Sequence, residues 1–221
     1  MAPASDLLHL LMLEQRTHRE LLVRLGTGTG DDREGQLRSA VLDLAAHLAA
    51  KEVLVHPLAA TVLSHGPRVL TERRREGRAI LHHLRIAGHA LPDGSAFAGA
   101  VEAASREHRA NAEREQLEVF PYARRATTPS ALCRLGQIYP GLRRRATAAY
   151  LEHRRERASW TDEELVDRLV QQLTATAEET GELPGHNPHG DANRTGVRGT
   201  RAPGDVTGHV SRSWRDRRPV R

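Results

Sequence analysis

The sequence predicts an all-α protein: an antiparallel up-down-up-down four-helix bundle with a C-terminal helical extension and a disordered tail. Three observations carry that expectation. Apolar residues recur at three- and four-residue spacing, and strand-like alternation is missing. Cap residues, glycines and prolines divide the chain into four long periodic segments with short connections. Past Gly181 the periodicity gives way to Gly, Pro, Asn, His and Arg.

The first helix is expected from about Ser5 to Leu25, with Ser5 or Asp6 as its cap and Gly26 at its stop. Leu7, Leu10, Leu11, Leu21, Leu22 and Leu25 form its stripe, with His18 between the halves. The second starts near Asp32, carries Leu37, Val41, Leu44, Leu48 and Leu54, and is broken at Pro57. The third runs from Pro67 to Ala87 after a Ser64-His65-Gly66 turn. The fourth runs from Ser95 to Arg125 with a kink at Pro121. Its stripe of Phe97, Val101, Ala104, His108, Asn111, Glu115 and Val119 keeps one helical face. A fifth helix from Pro129 to Ala158 is expected to be interrupted at Pro140. A sixth starts at Thr161 with a capping box to Glu164 and an apolar stripe of Leu165, Leu169 and Leu173.

Composition excludes several classes. The chain has 221 residues, only seven of them aromatic, so its core must be built from aliphatic side chains. One cysteine, Cys133, forms no internal disulfide and no Cys-based zinc site; it is expected to be a small core residue. No apolar run approaches the ~18–20 residues that span a membrane. The N-terminal segment has no secretory pattern, and a cytoplasmic location is expected. Of the net charge of +5, residues 180–221 hold eight arginines against four acids, which leaves +1 for residues 1–179. Nucleic-acid binding is therefore expected only weakly, through the basic tail. No Ser-His-Asp order, phosphate-cradling loop or paired-acid signature is present, so no catalytic residue is assigned and no enzyme is expected. His82, His83 and His153 are expected at the surface, and Arg73-Arg74-Arg75 and Arg143-Arg144-Arg145 on solvated faces.

Three places put ionisable groups on faces that should be apolar: His18; His47 with Lys51; and His108 with Asn111 and Glu115. Buried ionisable groups are costly unless paired or bound to a metal, so a shared polar layer is expected. The segment His47 to Pro57 matches Asn111 to Pro121, each with a polar residue ten positions before a proline and another four along. Thirty-two of the 33 basic residues are arginines, and the single lysine, Lys51, lies in this layer.

These residues resemble the hemerythrin-like HHE cation-binding domains. His18-Arg-Glu-Leu-Leu resembles the helix-one signature, His47 with Val55-His56-Pro57 that of helix two, and Asn111 and Glu115 with Val119-Phe120-Pro121 that of helix four. The resemblance covers roughly residues 5–125. It implies a four-helix bundle over residues 1–127, a helical extension over 128–179 packed upon it, and a tail over 180–221. It also implies non-haem iron as cofactor and dioxygen, or sensing of it or of iron, as the family's role.

The family's ligand pattern is only partly kept. The bridging Glu is replaced by Lys51, the helix-four His by Asn111, and the helix-three His is missing from Thr71–Arg78. His18, His47 and Glu115 remain as metal ligands the resemblance implies, with His108 and Glu52 as substitutes. His108 lies one turn before Asn111 on the same face, and Glu52 points about 100° from Lys51. Metal occupancy is accordingly expected to be weakened or lost. The alternative is a metal-free interaction or regulatory module. There a Lys51–Glu115 pair, with an arginine from Arg73–Arg75 nearby, replaces the metal charge. A protein partner would then meet the segment Cys133–Tyr150 and the arginine tail.

Overall fold

A computed structural model describes residues 6–28, 32–156 and 159–181. The expected basic tail, apart from its first two residues, lies outside the described residues. Among those described every regular element is helical. The elements are α1 (Leu7–Thr27), α2 (Arg33–Leu54), α3 (His56–Ala60), α4 (Gly66–His89), α5 (Gly94–Arg114), a π-helical turn (Glu115–Val119), α6 (Phe120–Arg125), α7 (Pro129–Glu156) and α8 (Asp162–Glu179). None of these helices is long and apolar enough to cross a membrane.

The ends follow local chemistry. Asp6 accepts from the His9 N–H, Asp32 from Gly35 and Asp93 from Ser95 and Ala96, each satisfying amides that a helix start leaves free. At α8 the capping box is complete: Glu164 donates its N–H to Thr161, and its carboxylate accepts the Thr161 N–H.

The fourth predicted helix is more divided than its sequence suggests. Pro121 has no N–H for a bond back to Leu117, and its ring crowds that carbonyl. The preceding turn widens, so that the Phe120 N–H reaches the Glu115 carbonyl and a π turn separates α5 from α6. At Pro57 the chain instead ends α2 at Leu54 and restarts as the one-turn α3. The interruption expected at Pro140 does not occur: α7 runs through it from Pro129 to Glu156. Pro140 is on the exposed side of α7, so its ring meets solvent rather than the core.

One continuous core joins all the long helices, from Leu7 in α1 to Ala177 in α8. α1 and α4 each pack against both α2 and α5, and α7 and α8 pack against α2. α2 is therefore covered on several sides, and every residue from Leu44 to Leu54 is buried. Its small residues Ala45, Ala46, Ala49 and Ala50 admit the neighbouring helices closely. The α1 stripe is Leu7, Leu8, Leu11, Gln15, His18, Leu22 and Leu25, while Leu10 and Leu21 are only partly buried. Cys133 is half-buried rather than a core residue, and His83 and His153 are half-buried rather than exposed, because α7 and α8 lean on their neighbours.

The α2–α4 contact depends on Gly77. A Cβ there would lie 2.9 Å from Leu48 Cδ2. Gly77→Val is expected to destabilise the protein by about 1–3 kcal/mol through overpacking. Gly99 on α5 has open space around its Cβ position. Gly99→Ala is expected to stabilise by about 0.5–1 kcal/mol. Urea denaturation of the two variants beside the wild type checks both signs.

Candidate functional site

The polar layer is assembled from α1, α2 and α5, with α4 and α7 supporting it. On α2, His47 and Lys51 are one turn apart; on α5, His108, Asn111 and the following Glu115 continue one face. All are buried because those faces point into the core. Glu115 sits at the first position of the π turn and is fully buried.

Lys51 donates from Nζ to Glu115 Oε1, and Gln15 Nε2 donates to Glu115 Oε2 at 2.9 Å. Gln116 in turn donates to Gln15 Oε1 at 2.7 Å, fixing the orientation of the Gln15 amide. Burial raises the pKa of the Glu115 carboxyl above the ordinary glutamate value, and the Lys51 ammonium works against that rise. Arg73, which is buried and not on a solvated face, adds a second positive charge toward Glu115. Its guanidinium pairs with Glu76 at 3.0 Å.

The three histidines come together. The His18 ring lies 4.8 Å from that of His47 and 5.8 Å from that of His108, edge-on to both. Each of the two deeper rings leans on a carboxylate. His18 Nε2 bonds Asp43 at 2.8 Å, and His47 Nδ1 bonds Glu14 at 2.8 Å with the Tyr139 hydroxyl 3.1 Å away. Arg143 of α7 ties the two acids together, reaching Glu14 at 2.6 Å and pairing with Asp43. Burial favours a neutral Glu14, but the hydrogen bonds from His47 and Tyr139 and the Arg143 charge overcome it and hold its pKa at about 2. The Tyr139 hydroxyl is pushed far up by burial and by the Glu14 charge, so it stays a donor.

The two substitute ligands, His108 and Glu52, are placed differently from each other. His108 joins the cluster. Glu52 is buried but faces α4: Arg78 grips both of its oxygens, Arg74 lies 3.3 Å away, and Arg78 continues to Asp167 of α8. Glu52 therefore does not join the histidines as a substitute ligand, because α4 and α8 bury its side of α2 separately. Asn111 donates to the Arg73 carbonyl at 3.3 Å and to Glu76 at 3.1 Å, so its amide is turned to α4.

This donor set does not fit the iron that the resemblance implies. Both Glu115 oxygens and both Glu52 oxygens already accept bonds from cations or an amide. Within the cluster two nitrogens, His18 Nδ1 and His108 Nδ1, are buried with no hydrogen-bond partner among the described residues. Imidazole nitrogens without a free carboxylate beside them fall short of a His-carboxylate iron set. Among the described residues no group of three His, Cys, Asp or Glu side chains is arranged to hold a metal ion. Gln15, Asp43, Glu14, Tyr139 and Arg143 were not foreseen. Gln15 alone left a signal, since Leu8, Leu11, Gln15, His18 and Leu22 share one face. Comparison with family models, curated proteins and solved structures finds no match to the chain.

The histidines give the layer a defined pH dependence. Burial, reinforced by neighbouring positive charge, lowers His47 and His108 to about 3. His56 is lowered well below its ordinary value for the same reasons. Unfolded imidazoles titrate near 6.5, so between about 3 and 6.5 the unfolded chain binds more protons. Stability is thus expected to fall on acidification from pH 7 to 5, with each such histidine adding a slope approaching about 1.4 kcal/mol per pH unit. Guanidinium unfolding at pH 7, 6 and 5 measures it, and His108→Gln is expected to flatten the curve.

Proposed function

We propose that this chain is a hemerythrin-like four-helix bundle, formed by α1, α2, α4 and α5, that has exchanged its metal for a fixed ammonium and acts as an interaction or regulatory module. The observation that carries the reading is the buried bond from Lys51 to Glu115. These two residues occupy equivalent places in the repeated segments ending at Pro57 and Pro121. In the resemblance both places belong to carboxylates that share a cation between them. Here one carries the cation covalently. The neighbours of the four helices support the bundle: α1 and α4 each border α2 and α5.

An ammonium balances the Glu115 charge but offers no open coordination position and no redox change. Dioxygen binding is therefore not the role we assign. Glu14, Asp43 and Arg143 hold His18 and His47 in place, so the former ligand residues serve as a rigid hydrogen-bonded core layer. The partner-facing part is the extension, since α7 carries Tyr139 and Arg143 into this layer and exposes its other side.

Protein purified from iron-rich medium is expected to hold far less than one iron per chain and to show no oxo-bridged di-iron band beyond its aromatic absorption in the near ultraviolet. One or two irons per chain, with stability lost on their removal, would overturn the proposal. Lys51→Glu is expected to take up more iron than the wild type. Lys51→Met is expected to cost about 3–5 kcal/mol by leaving Glu115 buried alone. Adding Glu115→Gln to Lys51→Met is expected to recover most of that loss, which thermal unfolding of the single and double variants reads directly.

A further inference from the structure

A cavity of about 660 Å³ lies between α1 and α7, outside the buried layer. Its walls are apolar, built from Leu10, Leu13, Pro140, Ala148 and Leu151. Leu13 and Leu151 remain 42% exposed, although they are large aliphatic side chains. This volume is in the range of sites for small organic ligands, and an apolar wall with a few convergent polar groups is their usual composition. Besides the Thr147 hydroxyl, four polar side chains on its lining decide what it would accept. Glu14, Tyr139 and Arg143 form one side, and their groups are already spent on His47, on Asp43 and on one another. Arg144 is different. It is exposed, lines the same cavity, and forms no ion pair among the described residues.

We propose that the cavity between α1 and α7 is a binding site for a small amphipathic acid, an apolar body with one anionic head. The body replaces water along the leucine and proline walls, where removal of apolar surface drives binding. The head pairs with the Arg144 guanidinium at the edge, a charge-assisted bond that neither Glu14 nor Tyr139 can offer to an anion. A cationic ligand has no free carboxylate to meet there, since Glu14 is neutralised by Arg143. The floor of the cavity consists of the groups that orient His47, so the site sits against the buried layer without using it. Metal content tests the Lys51 reading and ligand affinity tests this one, so either can fail alone.

Decanoate and its neutral counterpart decan-1-ol, both kept well below their aggregation thresholds, serve as probes in isothermal titration calorimetry. Both are expected to bind the full-length protein at one site, decanoate more tightly. Arg144→Gln is expected to weaken decanoate about tenfold and leave decanol unchanged. Ala148→Trp, at an exposed position, is expected to abolish binding of both while the melting temperature and helix content stay as in the wild type. Absence of decanoate binding to the wild type would overturn the proposal. So would an Ala148→Trp variant that folds normally and binds as before, or an Arg144→Gln effect equal for both probes.

Discussion

Lys51 and Glu115 are held in the same core, and neither can be buried there without the other. Removing an ammonium and a carboxylate from water costs several kcal/mol per ion, and their mutual attraction offsets this only with good geometry and further hydrogen bonds. The geometry comes from two helices that break at matching places. Lys51 lies one turn before the end of α2, ahead of Pro57, and Glu115 opens the π turn ahead of Pro121. The further bonds come from Gln15 and, behind it, Gln116. Arg73 adds positive charge from α4. The pair thus ties α1 and α2 to the π turn after α5, since a shift of any one would leave a buried charge or amide unpaired.

Around that pair the extension has a structural task. α7 contributes Tyr139 and Arg143, which hold Glu14 and Asp43 on two different helices. Those acids in turn hold His47 and His18 in fixed orientations. α8 supplies Asp167 to the Arg78 that grips Glu52. Histidines backed by carboxylates are the usual outer arrangement of a metal site. Here the same kind of backing surrounds a carboxylate that is bound by an ammonium and an amide. Its rigidity comes from charged groups linked across helices, and its sensitivity to acid from the neutral histidines buried among them.

Much of the fold was legible because it is written in local chemistry. Asp6, Asp32 and Thr161 mark where helices begin, and the seven stripe residues from Phe97 to Val119 are all buried as their spacing requires. Lys51 and Glu115 were legible as charged groups on apolar stripes. The π turn was not, because a proline announces a disturbance but not which turn absorbs it. Pro140 misled for the same reason: Pro57 and Pro140 are both exposed, yet α2 ends ahead of one and α7 runs through the other. Glu14, Asp43 and Glu52 were missed or misplaced because periodicity assigns one buried face to each helix. α2 has more than one, with α7 and α8 covering the sides that a four-helix arrangement alone would leave in water. Such acids meet partners on other helices, as Asp43 meets Arg143 a hundred residues away, and no spacing rule connects them.

Lys51 is the only lysine in the chain, so labelling lysine with nitrogen-15 places a single Nζ signal on the group at the centre of this account. That signal is expected to be a slowly exchanging ammonium, protected by its bond to Glu115, and to keep its position when ferrous iron is added in stoichiometric amount. A rapidly exchanging Nζ, or one displaced or broadened in step with added iron, would contradict the account.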